Sequence, residues 1–71
     1  MENLVKEILQ EPEFKQGGFV YKHVAGDNPE PIRAVQSTVD RMRDLYDIQD
    51  NQFGQLCQNI LEELKVRIDK S

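Results

Sequence analysis

The chain has 71 residues, 38% of them hydrophobic, with one cysteine and no tryptophan. It is therefore long enough for one small domain and cannot hold an internal disulfide. Nine Lys and Arg against thirteen Asp and Glu leave a net charge of -4, which argues against broad attraction to nucleic acid or to an anionic membrane.

A single cysteine, with no signal pattern and no long apolar run, is read as belonging to a soluble cytoplasmic protein. A core this small, without disulfide or metal staples, turns the expectation towards self-association or a protein partner.

Residues 1–16 predict an N-terminal helix. Leu4, Val5, Ile8 and Leu9 form two pairs at i,i+4 and give it a narrow apolar edge, which Phe14 extends. Pro12 removes a backbone donor and pushes Glu11 out of helical geometry, so a stop or kink is expected near Gln10. A further turn then ends at Gly17-Gly18.

Residues 17–28 read as an extended segment and a turn. Phe19-Val20-Tyr21-Lys22-His23-Val24 is the stretch richest in aromatic and β-branched side chains, and its local preference is extended. Two arrangements suit it: a loop laying Phe19 and Tyr21 on the helices, or an edge strand pairing with another chain and using those two residues as a second contact surface. Asn28 is placed to cap the next helix and Pro29 to occupy its first position.

Residues 29–71 predict a helical hairpin. Ile32, Val35, Val39, Met42 and Tyr46 recur in steps of three and four, and Phe53, Leu56, Cys57, Ile60, Leu61, Leu64 and Ile68 do the same beyond a short polar turn at 47–51. Each set lines one side of a helix. Asp50 or Asn51 is expected to cap the second helix, whose first turn Gly54 weakens by about 1 kcal/mol. The whole reads as an all-α domain, a long antiparallel hairpin with a short N-terminal helix and an extended segment, assembling as a helical homodimer. Its expected interface is Ile32, Val35, Val39, Met42 and Tyr46 facing Phe53, Cys57, Ile60, Leu64 and Ile68; the competing account makes the same residues the monomer's own core.

Chemistry-bearing residues are sparse. His23 and Cys57 stand alone as soft ligands, short of the four that zinc needs. A calcium loop starting at Asp47 would put Gln52 and Gln58 where glycine and glutamate are required. Gly17-Gly18 lacks the lysine and glycine pattern of a phosphate loop. Glu62-Glu63 and the Asp40, Asp44, Asp47 row fall on outer faces. No cofactor, metal or catalytic set is expected, and the function read from these residues is that of a small acidic protein-protein interaction module: an adaptor, regulator or subunit.

The order of extended segment, helix, turn and helix over 18–68 resembles the ribbon-helix-helix family of DNA-binding proteins. That resemblance implies a dimer in which each chain contributes the strand 19–24. It would place either Val20, Lys22 and Val24 or Phe19, Tyr21 and His23 in the major groove.

Overall fold

The computed structural model describes residues 1–70, and every regular element among them is helical. The α-helices are α1 (Glu2–Ile8), α2 (Phe19–Ala25), α3 (Pro31–Asp40), α4 (Arg43–Tyr46) and α5 (Asp50–Lys70), with a 3-10 turn at Pro12–Phe14 between α1 and α2. The all-α expectation agrees with this.

Helix α5 is the hub. It packs against α1, α2 and α3, while α2 also lies on α3 and on the 3-10 turn. Leu56, Cys57, Ile60, Leu61 and Leu64 form its buried face. They close on Val5, Ile8 and Leu9 of the N-terminal arm and on Val20, Val35, Val39, Phe14, Met42 and Ile48. The radius of gyration is 11.2 Å, close to the roughly 11 Å expected when a chain of this length collapses onto one core.

The segment 19–24 is corrected from extended to helical. As a strand it would put Lys22 on the same face as Val20 and Val24; as a helix it sends Val20 fully into the core, packs Tyr21 and Val24 against it, and turns Lys22 out. Helical period decides, because β-propensity mostly measures how well a side chain packs and yields to tertiary context. The helix is bracketed by Gly18 and Gly26. Asn28 caps its end and not the next beginning: the Asn28 Nδ2 amide donates to the carbonyl of His23 at 2.9 Å. Pro31, rather than Pro29, takes the first position of α3. With 19–24 helical, the strand required by the ribbon-helix-helix resemblance is absent.

The expected single helix over 29–47 is divided. Arg41 and Met42 tighten, with ψ values of -12° and 3°, and the Met42 N–H donates to Val39 three residues back at 2.9 Å. No proline or glycine marks this point. The turn keeps Met42 buried and brings Arg43 across to α5. There its Nε donates to Asp40 at 2.8 Å, its Nη1 to Asp50, and its guanidinium carbon lies 4.2 Å from the Phe53 ring centroid. One side chain thus links the end of α3, α4 and the first turn of α5, combining ion pairs with a cation–π contact.

Helix α4 stops at Asp47, the one residue other than glycine with positive φ among those described (φ 51°, ψ 49°). The Ile48 N–H returns to the Arg43 carbonyl at 2.9 Å and Ile48 is buried, a Schellman-type ending. Gln52 then accepts the Gln49 N–H on its side-chain oxygen at 2.9 Å. This is the reciprocal half of a capping box, so Gln52 supplies the capping expected of Asp50 or Asn51.

Three substitutions test this packing. A Cβ at Gly18 would lie 2.6 Å from the Glu13 carbonyl oxygen and closer still to that of Pro12, whereas one at Gly54 meets nothing within 4 Å. Gly18→Ala should therefore cost about 1–3 kcal/mol, and Gly54→Ala should add about 1 kcal/mol. Thr38 is 1% exposed and its Oγ1 has no hydrogen-bond partner among the described residues. Thr38→Val, which keeps the shape and removes the stranded hydroxyl, should add about 1 kcal/mol. Thermal melts read all three, at about 4–8 °C per kcal/mol for a domain of this size.

Candidate functional site

The sequence-predicted interface residues do not gather at the surface. Val35, Val39, Met42, Cys57, Ile60 and Leu64 are buried in the chain's own core, and Ile32, Tyr46, Phe53 and Ile68 are half-buried against it. Periodicity identified a face that leaves water, and within this one chain the neighbouring helices cover it. Of the two residues expected as a second contact, Tyr21 is packed on the core while Phe19 is 50% exposed. The Phe19 ring lies 4.4 Å from that of His23, whose Nδ1 sits 2.9 Å from the Phe19 carbonyl oxygen. That contact assigns the imidazole proton to Nδ1 and occupies it locally.

Cys57 is sealed in the core at 0% exposure. Burial pushes its thiol up from 9.0 to about 11, with Arg43 pulling it down and Asp40 adding to the rise. A thiol so protonated and so enclosed is a small core hydrophobe, and the thiolate needed for nucleophilic or metal chemistry is suppressed. Among the described residues no group of three or more His, Cys, Asp or Glu side chains is arranged to hold a metal ion.

Two concave surfaces flank α1. The first, of about 450 Å³, runs between α1 and α5 and is lined by Glu2, Val5, Lys6, Asn59, Glu62, Glu63 and Val66. Val66 is 43% exposed, and Met1, 48% exposed, adjoins the groove through an Asn59 Nδ2 contact to its sulfur at 3.1 Å. Its carboxylates are only loosely engaged: Glu2 pairs with Lys6 at 3.8 Å and Glu63 with Arg67 at 3.5 Å, each along its own helix and in solvent. Such exposed pairs contribute little to stability.

The second surface, on the other side of α1, is lined by Asn3, Lys6, Glu7, Gln10, Glu11 and Tyr46. Burial raises the Tyr46 phenol above its ordinary value, and the nearby carboxylates add to the rise: Glu11, to which the hydroxyl donates, then Glu7 and Glu13. Tyr46 thereby ties α4 to the chain after α1.

Sequence reasoning missed the groove because its exposed apolar member, Val66, lies off the stripe formed by Leu61, Leu64 and Ile68. An apolar side chain out of step with its own helix's buried face was the available signal. Glu62 and Glu63, expected on a solvated outer face, line this groove. No helix among the described residues is long and apolar enough to cross a membrane. The chain matches no protein-family model, no curated protein and no solved structure.

The thiol's burial has a pH consequence. Because the folded thiol holds its proton to about 11 while the unfolded one releases it near 9.0, this group leaves stability unchanged below about pH 9 and lowers it as pH rises from there towards 11. Chemical denaturation at a series of alkaline pH values should show this fall in the wild type and a shallower one in Cys57→Ala. A thiol-specific reagent at neutral pH should label the native protein far more slowly than the unfolded one.

Proposed function

We propose that this chain is a small acidic protein-protein interaction module that carries no catalytic site and works as an adaptor, regulator or subunit through self-association. The carrying observation is the groove between α1 and α5. There, two of the exposed large apolar side chains, Met1 and Val66, stand beside the carboxylates Glu2, Glu62 and Glu63. Apolar groups rimmed by charge are the usual make-up of a protein-binding surface.

The buried stripes on α3, α4 and α5 serve in this reading as the scaffold, a helical hairpin that holds the groove rigid. The contact surface lies on the side chains that the fold leaves outside. A core closed within one chain supports a subunit that is folded before it binds, so association orders few groups and loses little of its interaction energy to entropy.

Sedimentation equilibrium from low to high micromolar concentration tests the proposal. A rise from the 8.3 kDa chain mass towards about twice that value, with the helical circular dichroism signal unchanged, is the expected result. The monomer mass at every concentration would overturn it.

A further inference from the structure

We draw no further inference here: the strongest candidate, the groove between α1 and α5 with Met1 and Val66 exposed at its edge, carries nothing, because it belongs to the site already described and nothing in the structure shows what covers it.

Discussion

The burial of one face of α5 is the constraint from which the rest of this structure follows. Leu56, Cys57 and Ile60 are at 0% exposure and Leu64 at 1%, and that depth is reached because α1, α2 and α3 are all packed on the same helix. Disulfide staples are not available to a chain with one cysteine, so most of the stability has to come from this apolar contact. Each shorter helix is too brief to hold its shape alone: α1 and α2 have seven residues each and α4 has four. They exist as helices because α5 offers them a surface, which is tertiary packing supplying what local propensity lacks.

Legibility in the sequence follows the same division. The long, strongly periodic stretches were readable: Val35, Val39, Ile60 and Leu64 sit in the core where their spacing puts them. Where several weak local cues competed, the reading failed. Phe19 to Val24 has the composition of a strand and the period of a helix, and burial of Val20 with Val24 beside it decides for the period. The turn at Arg41 and Met42 left no mark at all, since neither proline nor glycine causes it. Its partners, Asp50 and Phe53, lie beyond the polar turn on α5. A periodic stripe also says only that a face is buried. Whether its cover comes from the same chain or another depends on how the remaining elements fold back, and that information resides in Gly18, Pro31 and Asp47 rather than in the stripe.

Arg43 shows how polar contacts finish what apolar burial begins. The apolar stripe on α3 would continue smoothly through Met42 to Tyr46 in a straight helix. Instead the chain tightens, and the guanidinium joins Asp40, Asp50 and the Phe53 face. Exposed ion pairs are individually weak. Here a planar donor on α4 engages two carboxylates and an aromatic ring from α3 and α5 at once, so its contribution is to geometry: it fixes where α5 starts relative to the end of α3. The αL backbone at Asp47 and the buried Ile48 complete that reversal.

What the closed interior leaves over is a surface with an uneven charge pattern. Glu2, Glu7, Glu11, Glu62 and Glu63 line the grooves on either side of α1 against a single Lys6, so acidic charge is gathered around α1. Like charges held close repel one another, and that repulsion eases when a basic surface covers them, which makes charge concentration at a groove a driving force for association as well as for solubility. Beyond the acidic pair Glu62 and Glu63, the end of α5 mixes both signs, with Lys65, Arg67 and Lys70 around Asp69. The exposed Val66 among them falls off the buried stripe of Leu61, Leu64 and Ile68. Met1, Phe19 and Leu45 are exposed in the same way, and apolar side chains scattered over a folded surface are what remains when a small core closes on the faces that periodicity marks.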